Sequence, residues 1–128
     1  MSRAIRTDAA PPPFSAYAQG VEIPAGTRQI TVAGQVGVTP DGQLVQDARG
    51  QHRQAWANVA AILEAGGMGL ADITEVLGIV TDPDGVALFR EERERALGAH
   101  LVAATLIVAG LAHPDWRVEI VVRAARAD

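Results

Sequence analysis

The chain has 128 residues, a formal net charge of −4 and no cysteine, with 48% apolar against 20% charged residues. That is the balance of one globular domain spanning residues 1–128, long enough to bury a core without staples. It excludes a disulfide framework and a thiol nucleophile, and its acidity argues against a nucleic-acid partner, which needs a concentrated basic face. All eleven basic residues are arginine, so Schiff-base chemistry through a lysine amine is excluded as well. Met1 to Arg6 lacks the apolar core of a signal peptide, and the longest apolar run, Leu101 to Ala112, is too short to span a bilayer. The expectation is a cytoplasmic protein with no membrane partner.

Arg3 to Thr7 reads as a short strand, ended by Asp8 and the stiff Pro11-Pro12-Pro13 run. Ala18 to Ile23 and Gln29 to Val36 read as strands on either side of a Pro24–Thr27 turn. Asp47 is placed to cap a helix running to Ala65, with Ala48, Ala55, Val59, Ile62 and Leu63 on one stripe and Gly66-Gly67 ending it. Ile73 to Thr81 is a β-rich apolar run. Asp84 is placed to cap a second helix to Leu97, with Val86, Phe89, Arg93 and Leu97 inward. Its charges, Arg90, Arg93 and Arg95 interleaved with Glu91, Glu92 and Glu94, read as a solvated face that cancels. Ala104 to Ala112 and Trp116 to Ala124 complete the order β-β-β-α-β-α-β-β. This predicts an α+β fold, a mixed six-stranded sheet with both helices on one face, whose bare face needs something to bury against.

Four segments carry a resemblance: Ser15-Ala16-Tyr17-Ala18-Gln19-Gly20, Val32-Ala33-Gly34-Gln35-Val36 on to Gly42, Gln51 through Gly66, and Trp116-Arg117-Val118-Glu119-Ile120. Together they closely resemble the Rid family (RidA/YjgF, formerly L-PSP). The resemblance implies a chorismate mutase-like fold and a homotrimer in which three sheets close into a central barrel, with a cleft at each subunit interface. Many members hydrolyse reactive enamines and imines that leak from amino-acid metabolism. The active ones hold the substrate carboxylate with an arginine, in a Pro-Ala-Arg-Ser/Thr motif at the start of a late strand. Leu101-Val102-Ala103-Ala104-Thr105 lies over that motif, and the arginine's place is read as Ala103.

The remaining site residues follow the same resemblance. Glu119 is a carboxylate in an apolar strand, where burial would raise its pKa and suit it to relay a proton. The family has a glutamate there to orient the attacking water; the plain alternative is a cross-strand partner for Arg117 or Arg123. Tyr17 matches a tyrosine at the cleft mouth, or packs the loop onto the sheet with Phe14. Gly34 matches the glycine of a Ser-Gly-Gln pattern whose backbone binds the carboxylate, with Ala33 where the family has serine. Arg90 aligns with an asparagine near the site and is the first candidate for a substitute clamp; Arg93, one turn on, is the second. Gln54 and Asn58, also shared with the family, read as structural, and Trp56 as packing. His52, His100 and His113 do not cluster, so neither a metal nor another cofactor is expected. The expected function is a small-molecule cleft on a different ligand, with weak or absent hydrolysis of 2-aminoacrylate-type imines. The alternatives are an imine deaminase with a substitute arginine and, third, an RNA-cleaving translation inhibitor.

Overall fold

In the computed structural model, which describes residues 1–127, the chain runs β1 (Arg3–Ile5), β2 (Gly20–Glu22), β3 (Arg28–Gln35), α1 (Ala48–Ala65), β4 (Ile73–Val80), α2 (Gly85–Leu97), β5 (Ala103–Val108) and β6 (Val118–Arg126). The element order is the predicted one, and the fold is α+β with both helices on a mixed sheet. The strands divide differently from the single six-stranded sheet expected: β3-β6-β4-β5 form one sheet, and β1 and β2 pair apart from it. The triproline segment explains the split. Prolines donate nothing to a ladder, and after them only Ala18 reaches the sheet, its N–H 2.8 Å from the Val102 carbonyl at the outer edge of β5. β5 also ends at Val108, short of the predicted Ala112.

α1 begins where Asp47 accepts a hydrogen bond from Gly50 N–H at 2.8 Å, so the expected N-cap is present. Its buried face holds Ala55, Val59 and Leu63 with Gln51, His52 and Trp56, while Ala48 and Ile62 from the predicted stripe face outward. Asp84 makes no side-chain cap to α2; the helix is entered through a turn, with Gly85 and Val86 N–H donating to the Asp82 and Pro83 carbonyls. Phe89 packs so closely on β4 that a Cβ on Gly78 would enter its ring. The core is one layer between the helices and Val32, Val76, Val80, Val118, Ile120 and Val122. The other face of the sheet carries no helix. No helix among the described residues is long and apolar enough to cross a membrane.

The expected solvated face of α2 is not what forms. Glu92 is buried between the helices and accepts from Arg53 at 3.1 Å and from Arg49 at 2.5 Å, with Arg95 at 3.7 Å. Burial alone would raise its pKa, but the hydrogen bonds from Arg53 and Arg49 outweigh that and hold it below the usual carboxylate value. Beside it His52 is 1% exposed, edge-on to Phe89 at 6.0 Å, with Nδ1 unpartnered. Burial pushes the His52 pKa down to about 4; Glu92 pulls it upward less strongly and Arg49 adds to the lowering.

His52 therefore folds uncharged. Below its ordinary value of 6.5 the unfolded chain binds a proton that the folded chain refuses, so stability falls with pH until the folded ring titrates near 4. The loss across that window is up to about 3 kcal/mol. Glu92 has the opposite arrangement, and its contribution is lost only as pH drops below 4.5. Urea unfolding between pH 7 and 4.5 should show the His52 slope, and His52→Leu should remove most of it. A wild-type stability flat across that range would contradict this reading.

Candidate functional site

Two groups of predicted site residues come together, on opposite faces of the sheet. The first lies on the helix-free face. Glu119 of β6 pairs with Ile79 of β4, which pairs in turn with Ile107 of β5. Beside Glu119 the β3–β6 register shifts between Val32 and Gln35, so Ala33 and Gly34 bulge at this point. A Cβ built on Gly34 would fall well inside contact distance of Glu119 Oε2. Only glycine leaves the carboxylate room to lie against the β3 backbone. The cross-strand alternative for Glu119 is not realised: Arg123 sits 3.5 Å from Glu75 instead. Glu119 is half-buried and, among the described residues, makes no ion pair or side-chain hydrogen bond.

The second group lies on the helix face, at the edge of β5. A pocket of about 200 Å³ is lined by Phe14, Ser15, Tyr17, Arg90, Arg93, Ala104 and Leu106. Tyr17 is half-buried and its hydroxyl accepts from Phe14 N–H at 3.1 Å, which fixes the loop that follows the prolines. Phe14 itself stays 79% exposed, so it does not pack the loop down. Arg93, on the inward stripe as predicted, is 3% exposed. Its Nη2 donates to Ser15 Oγ at 2.9 Å, and its Cζ stands 5.6 Å from the centre of the Tyr17 ring. Burial lowers the Arg93 pKa from the ordinary guanidinium value, Arg90 adds to the lowering, and Glu94 and Tyr17 oppose it. Arg90 lines the same pocket, half-buried, so the sequence order of the two arginines is reversed in depth.

Ala103 does not line this pocket, whereas its neighbour Ala104 does. Strand pairing puts Ala103 opposite Glu75, and Ala104 opposite Val76, which is wholly buried under the helices. Paired residues share a face, so Ala104 points toward Arg93 and Ala103 away from it. Ala103 shares a face with Glu119 but lies four residues along and two strands across, roughly 16 Å away by strand geometry. Gln54 and Asn58 are structural as read: Gln54 donates to Asn58 Oδ1, and Asn58 Nδ2 donates to the Val36 and Val38 carbonyls at 3.2 and 2.8 Å. Ser15 was not singled out as a contact for the site; only its place in the Ser15–Gly20 segment pointed to it.

A larger concavity, about 910 Å³ and near the chain termini, is a poorer candidate. Two of its polar side chains are already engaged: the His100 ring with the Ile73 carbonyl at 2.7 Å, and Asp72 with Gly69 N–H at 2.8 Å. Among the described residues there is no cluster of His, Asp or Glu able to hold a metal.

Comparison with known proteins agrees with the fold and the segments above. The sequence model of the family described as Endoribonuclease L-PSP matches residues 7–126. A 2-iminobutanoate/2-iminopropanoate deaminase of Salmonella typhimurium is 36% identical over 101 residues, covering 78% of this chain and 77% of that protein. A RutC family protein of Pyrococcus horikoshii is 31% identical over 94% of each chain. Among solved structures, the Rid family protein YyfB of Yersinia pestis superposes with a TM-score of 0.84 at 29% identity over 98% of each chain. The Escherichia coli YjgF gene product gives 0.72 at 32% identity, covering 98% of this chain and 99% of that one.

The Gly34–Glu119 contact is open to a direct check. The group that a new methyl meets is the free end of a flexible side chain. Gly34→Ala should therefore fold, with a stability change within about 1 kcal/mol. It should also swing the Glu119 carboxylate off the β3 backbone. A crystal structure of the variant with the carboxylate unmoved would contradict this.

Proposed function

The chain belongs to the Rid (L-PSP) family, and on that premise we propose that it works as a homotrimer whose small-molecule clefts form between subunits. In this reading the Tyr17–Arg93–Ala104 pocket of one copy meets the Gly34–Glu119 pair of the next. The observation that carries it is the placement of these groups on opposite faces of one sheet, where no single chain can bring them to a common ligand. The helix-free face supports the assembly, since it exposes Ile107 and leaves Leu77, Ile79 and Val121 half-buried with nothing packed on them. Cyclic closure of three copies is the expected form.

The related deaminases are named for 2-imino acids, and a small carboxylate-bearing metabolite is the ligand class this cleft would take. Efficient hydrolysis of the simplest imines is not expected. β5 offers alanine at both 103 and 104, and β3 offers Ala33 where the family has a serine. A charge-assisted hydrogen bond contributes about 1.5–3 kcal/mol, so losing the β5 clamp alone weakens recognition roughly ten- to more than a hundredfold. The second reading, an imine deaminase with a substitute arginine, is favoured by the depth of Arg93 in the pocket. RNA cleavage is disfavoured by the net charge of −4.

Purified protein should therefore run in light scattering at about 40 kDa, three times the 13.4 kDa chain. Its hydrolysis of 2-aminoacrylate, generated in a coupled assay, should be at least ~10-fold slower than that of the Salmonella deaminase. Ala103→Arg should restore little, because Ala33 still stands where the family has a serine. A monomeric mass would remove the interface cleft, and turnover equal to the deaminase would remove the altered-ligand reading.

A further inference from the structure

We infer that Arg93 is the residue that binds the ligand's carboxylate in this chain, a guanidinium supplied by α2 where relatives supply one from β5. The inference rests on the interface-cleft reading above and deepens it. Its starting point is charge. Of the five arginines on the two helices, Arg49, Arg53 and Arg95 all come within 4 Å of Glu92 or Glu91. Arg90 and Arg93 reach no carboxylate among the described residues. For exposed Arg90 atoms water suffices, but Arg93 is 3% exposed. A buried cation without a counter-ion is costly, and in folded proteins such a group is paired or meets a ligand.

The contacts that Arg93 does make orient it without neutralising it. Ser15 Oγ takes a single N–H, and the Tyr17 ring lies 5.6 Å from Cζ. Of the five donors on a guanidinium the others stay available, in the fork that matches a planar carboxylate. Space exists where they would be used. Ala104 and Leu106 form the apolar wall of the pocket, Phe14 stands at its mouth, and the volume of about 200 Å³ admits a carboxylate with a short or compact carbon body. Arg90 adds a second positive charge at the rim. Among the described residues Glu94 is the carboxylate that influences Arg93, and it is exposed on the solvent side of the helix.

Anchoring from the helix side also changes where the rest of the ligand lies. The acid is drawn toward α2, and the space beside Ala104 is left for ligand carbon. In-line attack by water depends on placement to about 1 Å. Arg93 thus makes good part of the recognition lost from β5, while short imines sit badly for attack near the neighbouring copy's Glu119. The ligand favoured is a monocarboxylate with an apolar body that fills the alanine wall.

Titration calorimetry on the assembled protein tests this, with 2-oxobutanoate as the probe and 2-oxobutanamide as its neutral counterpart. Wild type should bind the acid and not the amide. Arg93→Gln should weaken acid binding more than ~10-fold, and Arg90→Gln less than ~5-fold, since a rim charge acts at longer range. Arg93→Lys, which keeps the charge but loses the fork, should fall between them and serves if the glutamine variant does not fold. Arg93→Gln should melt at or above the wild-type temperature, because a residue with a merely structural role would lose stability together with binding. Equal binding of acid and amide, or acid binding unchanged in Arg93→Gln and Arg93→Lys, would overturn the assignment. Rapid 2-aminoacrylate turnover would instead sink the altered-ligand reading and leave Arg93 standing.

Discussion

The two-residue alternation of a β-strand governs this molecule's chemistry. In β6 it sends Val118, Ile120 and Val122 into the core and Glu119 to the bare face. In β5 it sends Ala104 and Leu106 toward α2 and Ala103 and Ile107 the other way. Every group with chemical potential is thereby assigned to one side or the other. One side ends as an acid held against a glycine backbone, and the other as a guanidinium held against a phenol. In the proposed assembly each half is incomplete alone, and the exposed apolar face that carries the acid is the one a second copy would cover.

A second constraint is the competition for carboxylates on α2. Glu92 sits where α1 and α2 meet and draws three arginines toward it. That network pins the helices together, and its partly exposed arginines keep its net contribution modest. Its larger effect is local selectivity. With Glu92 engaged, Glu91 turned to Arg49 and Glu94 exposed to solvent, no carboxylate of the helix forms an ion pair with Arg93 among the described residues. The loop after the prolines then supplies Ser15 and Tyr17, neutral groups that can hold a guanidinium open toward a pocket.

Much of this was legible in the residues. The element order, the Asp47 cap, the Ala55–Val59–Leu63 stripe and the inward position of Arg93 all follow from spacing, because helical periodicity is robust to a one-residue error in the ends. The family resemblance pointed to Gly34, Tyr17 and Glu119 together. Strand facing is less forgiving: a slip of one residue flips a side chain to the other face, so spacing alone did not show that Ala104 lines the pocket beside Arg93 while Ala103 turns away from it. The Arg–Glu alternation in residues 90–95 read as self-cancelling. Its true partition, Glu92 buried in ion pairs and Arg93 in none among the described residues, depends on Arg49 and Arg53 arriving from another helix. The division of six strands into four and two likewise depends on how far three prolines carry the chain before Ala18 returns to it.

In the proposed assembly the two half-sites belong to different copies. Because the chain has no cysteine, a pair can be introduced cleanly. Phe14→Cys marks the mouth of the arginine pocket and Glu119→Cys marks the acid face. A short bifunctional thiol reagent applied to the double variant should join chains into a closed covalent trimer, with neither single variant reaching beyond a dimer. A product confined to single chains at concentrations where the wild type is assembled would contradict the account.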